Sequence, residues 1–306
     1  MPVGRFRLAW FPATSHRLFD VTPATSGVTS RTRCDIGAVS VPRRHVPLDL
    51  WGRLTPVDPK PRYGLEMLIV LFLGLGRSAV YSLLSIIEEL TRPNQPLSQQ
   101  TTTINSSAVP DRPWLDLAYQ VTYIAFPLVQ VLLVLYLLHL TYGHARRLIG
   151  FDLQRPKFDL AWGFGIAAGI GIPGFGLYLG ARALGLNTNV EPANLAANWW
   201  TVPVLVGLAA MNGILEEVTM LGYVLTRFAD LGQKPWVGIV VSALVRGSYH
   251  LYQGFGGAVG NFIMALAFGW LYKRFGRVMP LVIAHTILDI ASFVGYALLK
   301  PYLTWL

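Results

Sequence analysis

The sequence predicts an all-α protein, a polytopic bundle of transmembrane helices. Three observations carry that reading. Of its 306 residues 53% are hydrophobic and only 13% charged, well below the roughly 25% charged residues of a soluble domain. Several apolar runs reach about 20 residues, the length that takes a helix across a bilayer. Those runs are continuous rather than alternating, so strands and a membrane barrel are not expected. Residues 1–62 stand apart as a basic, mostly disordered tail, and residues 63–306 form the membrane domain.

The tail holds ten Lys/Arg against four Asp. It is rich in Pro, Ser and Thr and has no apolar periodicity, a composition that cannot bury a core. The stretch around Leu8–Phe11 is too short and broken for the apolar region of a signal peptide. An alternative is that the tail is an overextended start and the protein begins nearer Arg62.

Seven spans follow, at roughly 64–87, 117–140, 160–181, 202–226, 236–252, 257–274 and 279–299. The fifth is the shortest, and an eighth crossing is compatible with the pattern. Glu88 and Glu89 are expected solvated at the end of the first span. The polar segment 91–113, with Pro93, Pro96, Pro110 and Pro113, reads as an extended surface loop. His139 sits at an interface, and Trp199 and Trp200 suit an interfacial aromatic belt. The third span carries Gly163, Gly165, Gly169, Gly171, Gly174 and Gly176. Residues 169–174 match G-x-G-x-x-G, but no strand precedes them, so the nucleotide reading fails. Close helix packing explains the glycines, and Pro173 should kink that helix. Gly254, Gly256 and Gly257 read as a turn just after His250.

The net charge of +9 does not point to nucleic acid. Of 25 Lys/Arg, 19 fall in the tail or in alternate connections and four in the others. That bias puts the N-terminus in the cytoplasm of a multi-pass plasma-membrane protein. The lone cysteine, Cys34, excludes an internal disulfide and a multi-cysteine metal site.

Glu216 and Glu217 lie in the middle of the fourth span, and ionisable groups at that depth need partners. His250 belongs to the next apolar run, and the midpoint between residues 217 and 250 falls in the polar stretch Asp230–Pro235. A regular hairpin therefore brings Glu217 and His250 to one depth. His285 and Asp289 are i and i+4, on one helix face. Arg246, four residues before His250, is a counter-ion for one glutamate. The other carboxylate is then free to take a proton from water, with imidazoles orienting that water or stabilising an oxyanion. Glu216, His250, His285 and Asp289 would also suit Zn²⁺ or another divalent ion, although no helix carries H-E-x-x-H. A buried ion-pair cluster or a proton-coupled transporter would use the same groups.

These residues resemble the CAAX-protease and bacteriocin-processing (abortive-infection-like) family of intramembrane proteases. Its motifs are E-E-x-x-x-R, an aromatic-x-x-x-His, and His-x-x-x-Asn/Asp. They correspond here to Glu216-Glu217 through Leu221, Arg246 through His250, and His285 through Asp289, within about 200–295. Leu221 stands where the family has Arg, and Arg246 where it has an aromatic, so the arginine would have moved to a neighbouring helix. The phrase from Arg246 to Gly254 is similar to actinobacterial members. The resemblance implies a membrane-embedded endopeptidase acting near the cytoplasmic side, with Glu216 as general base beside His250. His285 and Asp289 would stabilise the oxyanion or join a metal shell, and the mechanism would be metal-assisted or metal-free. The substrate would be a membrane protein or peptide, lipidated or not. The alternative is an inactive scaffold or a proton-coupled transporter.

Overall fold

The computed structural model describes residues 62–302, so the expected disordered tail lies outside the described residues except for Arg62. Helices dominate, in the order the apolar runs dictate. Helix α1 (Tyr63–Phe72) and α2 (Leu75–Thr91) replace the expected first span, and their axes bend by 54° at the break. The Gln130 side chain fills that break, leaving no room for a Cβ on Gly74. Its Nε2 donates to Val70 O at 2.9 Å, satisfying a helical carbonyl released by the bend.

Helix α3 (Pro113–Tyr142) is followed by the single turn α4 (Ala145–Leu148) and by α5 (Pro156–Ala183), one continuous helix through Pro173. Helix α6 (Thr201–Glu217) runs into a π-helical segment, Val218–Val224, and then α7 (Leu225–Asp230). This composite span is the central one, 72% buried over its most apolar window. Helices α8 (Pro235–Ser248), α9 (Phe255–Phe275) and α10 (Met279–Leu299) complete the bundle.

Among the described residues five helices are long and apolar enough to cross a membrane, and a sixth crossing results if α1 and α2 count as one. This is fewer than the seven expected. The difference is α8, whose 14 residues rise only about 21 Å, short of a bilayer core of about 30 Å. It ends at the chain break that carries His250.

Two strands correct the expectation of none. β1 (Thr101–Ser106) pairs in parallel with β2 (Asn189–Asn194), Thr101 opposite Asn189. β1 lies inside the segment read as a surface loop, and its Thr-Thr-Thr-Ile run is strongly β-branched.

Burial corrects three further expectations. Trp199 is exposed, but Trp200 is packed in the core at 3% exposure. Glu88 is exposed and pairs with Arg92, whereas Glu89 is buried and accepts from Ser85. Of the α5 glycines, Gly163 and Gly171 do let α10 approach, since a Cβ there would strike Ile283 or Leu288. Gly165, Gly169, Gly174 and Gly176 would meet nothing within 4 Å. They open space rather than close it.

Candidate active site

Glu216 and Glu217 are the last residues of α6, immediately before the π-helical segment. Such widened turns recur at functional sites because they re-aim consecutive side chains. The two carboxylates, about 100° apart on regular helix, enter different environments. Glu217 is 0% exposed and Glu216 8%.

Arg246, in the last turn of α8, is 1% exposed. Its Nη1 lies 2.7 Å from Glu217 Oε1, and its Nη2 3.0 Å from Glu216 Oε2 and 2.9 Å from His285 Nδ1. One guanidinium thus ties both glutamates and α10 together, and arginine suits that task because its donors fan out in a rigid plane. Leu221, at the position where the family's motif has arginine, is 1% exposed within the π-helical segment. The cation is supplied from the neighbouring helix instead.

His285 Nδ1 lies 2.8 Å from Glu217 Oε1, and its Nε2 lies 3.7 Å from Asp289 Oδ1. The imidazole partner of Glu217 is therefore His285, not the His250 that the hairpin argument placed beside it. Two departures from a regular hairpin explain this. Helix α8 stops at Ser248, so His250 sits beyond the helix, and the π-helical turns change the register between α6 and α7. The His250 ring packs edge-on to Tyr249 at 4.8 Å, and its buried Nδ1 has no hydrogen-bond partner among the described residues.

Two further groups complete the site. Tyr249 Oη donates to Glu216 Oε2 at 2.7 Å, and Asn212 Nδ2 donates to Asp289 Oδ2 at 3.0 Å. The sequence reading assigned neither a role. Spacing held the signal, since Tyr249 is three residues after Arg246 and Asn212 four before Glu216, each one helical turn away.

A cavity of about 1360 Å³ opens beside this cluster, lined by Asn212, Glu216, Tyr249, His250, His285 and Asp289. Glu217 and Arg246 do not line it. Its other walls are the open face of α5, including Gly169 and Gly174, and the sheet, through Ile104, Asn105, Asn189 and Val190. The cavity leads from mid-bundle toward the sheet, away from the turn joining α7 to α8.

Both oxygen contacts of Glu216 fall on Oε2, so Oε1 makes no hydrogen bond among the described residues. A carboxylate held this way has one fixed oxygen and one clear of protein donors among the described residues, and Glu216 lines the cavity. The residues do not converge as a metal shell. Among the described residues no three His, Cys, Asp or Glu side chains are grouped to hold a metal ion, and the Arg246 guanidinium already lies against Glu216 and His285. A cation there would face a fixed positive charge, so no step below runs through a metal.

Residues 198–291 match the family model described as Type II CAAX prenyl endopeptidase Rce1-like. Over these residues the chain is similar to the CAAX-protease family. The match begins just before α6 and ends just past Asp289, so it contains every side chain of the cluster. No curated protein and no solved structure matches the chain. The matched segment consists of the central composite span, the α8–α9 pair and half of α10. The cavity wall from α5 and the sheet come from outside it.

Proposed function

We propose that this protein is an intramembrane endopeptidase in which Glu216 activates water for attack on a peptide bond. The observation that carries the reading is the free Glu216 oxygen, facing a cavity shared with His250, His285 and Asp289, within a segment of the CAAX-protease family. Glu216 Oε1 takes the proton as the water oxygen bonds to the scissile carbonyl carbon, and His250 orients that water. His285 accepts from Arg246 at Nδ1, which leaves its proton on Nε2 to donate to the developing oxyanion, and Asp289, held by Asn212, lies 3.7 Å from that nitrogen. The C–N bond then breaks, and the proton on Glu216 passes to the leaving amine.

Glu217 and Arg246 hold this arrangement without touching substrate. A charge-assisted pair out of water keeps its geometry because nothing else is within reach to satisfy either partner. The apolar walls and the open α5 face suit a membrane-associated peptide, with or without a lipid group. The charge bias supports a plasma-membrane protein with a cytoplasmic N-terminus, which puts the sheet on the opposite side.

The test is cleavage of membrane peptides by purified protein in liposomes. Glu216→Gln should lower the rate by about two to four orders of magnitude, the span typical for a general base. Equal turnover by the variant would remove Glu216 from the mechanism. Chelation by EDTA should leave the rate unchanged, and a loss restored by Zn²⁺ would reassign the chemistry to a metal.

A further inference from the structure

An endopeptidase inside a membrane meets a physical problem that its active site alone does not solve. A helical substrate buries its scissile carbonyl in its own hydrogen bonds, so the segment must be unwound before attack. An unwound backbone at membrane depth then needs replacement partners, because each unsatisfied group costs several kcal/mol. The two-stranded sheet that lines one wall of the cavity is placed and built to supply them.

The register shows which backbone groups are spent. Asn189 N donates to Gln100 O at 2.8 Å, and with Thr101 opposite Asn189 the alternation of a parallel ladder points the even-numbered residues of β1 at β2. The N–H and C=O of Thr101, Thr103 and Asn105 point the other way. None of them has a hydrogen-bond partner among the described residues beyond the sheet.

The far edge of β2 is closed. Thr188 N donates to Gln253 O at 3.3 Å, Val190 N donates to Tyr178 Oη at 3.3 Å, and Pro192 has no N–H. One edge is thus sealed, and among the described residues no hydrogen bond closes the other. β1 contains no Lys and no Pro, whereas natural edge strands are commonly blunted by one or the other. A two-stranded ladder is also marginal by itself and gains from a third strand.

The sheet is fixed to the catalytic loop. Thr102 Oγ1 donates to Tyr252 O at 3.1 Å, two residues after His250. Gly254, at φ +97°, bridges Asn187, and a Cβ on Gly254 would lie 2.6 Å from Asn187 Cα. Asn105, an edge residue, lines the same cavity as Glu216 and His250.

We infer that the free edge of β1 binds the substrate, taking an unwound, extended peptide as a third strand and holding it across the cavity that contains Glu216. The peptide lies about 4.8 Å beyond β1, as neighbouring strands do. Its alternate amides pair with Thr101, Thr103 and Asn105. Main-chain bonds supply affinity with little sequence demand, the usual outcome of strand addition. This inference rests on the protease reading for its occupant, and the test separates the two.

The probe is a fluorescent, acetylated peptide of alternating valine and threonine, offered to full-length protein in lipid nanodiscs, with binding and cleavage measured separately. Thr103→Pro removes one outward N–H while leaving the ladder to β2 intact, and Thr103→Ala controls for the side chain. Thr103→Pro should weaken binding about three- to tenfold, the loss of one net hydrogen bond, with melting temperature unchanged, and Thr103→Ala should bind as wild type. Backbone N-methylation along the peptide should weaken binding at every second position only. Equal binding by Thr103→Pro, a methylation effect without that alternation, or no binding to wild type would each overturn the proposal. So would a change in the oligomeric state of Thr103→Pro, which would assign the edge to a second copy of the chain. Binding that follows the alternating pattern without any cleavage would keep the strand-addition site and count against the protease reading. Cleavage indifferent to Thr103→Pro would do the reverse.

Discussion

Arg246→Leu is the perturbation that most directly tests the organisation of the site. The guanidinium is 1% exposed and contacts Glu217 Oε1 at 2.7 Å, Glu216 Oε2 at 3.0 Å and His285 Nδ1 at 2.9 Å. Leucine leaves the fully buried Glu217 with His285 as its only partner. Removing one member of a buried ion pair costs about 3–5 kcal/mol, mostly because the other charge is stranded. For a membrane domain of this size that corresponds to roughly 10 °C in melting temperature. The assay is thermal unfolding in nanodiscs, run as a cycle with Glu217→Gln. The amide introduced by Glu217→Gln carries no charge to strand, so the double variant should recover about 1–3 kcal/mol relative to Arg246→Leu alone. Arg246→Lys should fall between, since one ammonium cannot reach three acceptors in a fixed plane. A melting temperature for Arg246→Leu equal to wild type, or a double variant no more stable than Arg246→Leu, would refute the reasoning.

Two other outcomes follow from the packing and the charges. A Cβ at Gly213 would lie 2.6 Å from Thr286 Oγ1 and 3.0 Å from Val282 O, so Gly213→Ala must push α6 from α10, at about 1–3 kcal/mol. It should slow cleavage beyond its effect on stability, because the Asn212–Asp289 bond spans the same contact; unchanged kinetics would argue against that coupling. At the bundle end where α10 starts, Asp152 pairs with Arg277 at 3.0 Å. Burial pushes the Asp152 carboxyl up, but the Gln154 backbone N–H and the Arg277 guanidinium outweigh it and hold it below its ordinary value. Its contribution is therefore present above the unfolded value of about 3.9 and lost as pH falls through the lower folded value. Asp152→Asn should flatten that acid-side loss in a melting-temperature profile, and an unaltered profile would exclude the pair as its source.

Much of the site is legible in the chain before it folds. Glu216 and Glu217 stand out because charge at bilayer depth demands partners, and the i, i+4 spacing of His285 and Asp289 puts them on one face. Arg246 is readable as a counter-ion for the same reason: an arginine in an apolar run is costly unless paired. The pairing itself is not readable. The hairpin argument joins Glu217 to His250, whereas Glu217 pairs with His285, because neither the end of α8 at Ser248 nor the π-helical turns after Glu217 has a local sequence signature. Trp200 and Glu89 show the same limit, since burial at a helix end depends on what packs over it.

The sequence by itself determined that this is a helical membrane protein, where its apolar runs lie, and which ionisable residues must meet. Those conclusions follow from composition and periodicity, properties that do not depend on how helices are arranged. Only the tertiary structure decided which of the two glutamates faces the cavity. One is sealed against Arg246 and His285 and the other keeps an oxygen free of protein donors, because the packing of α8 and α10 decides which of two adjacent helical positions meets them. The sheet beside them was likewise beyond local reading, because its strands lie 88 positions apart along the chain and each makes sense only against the other.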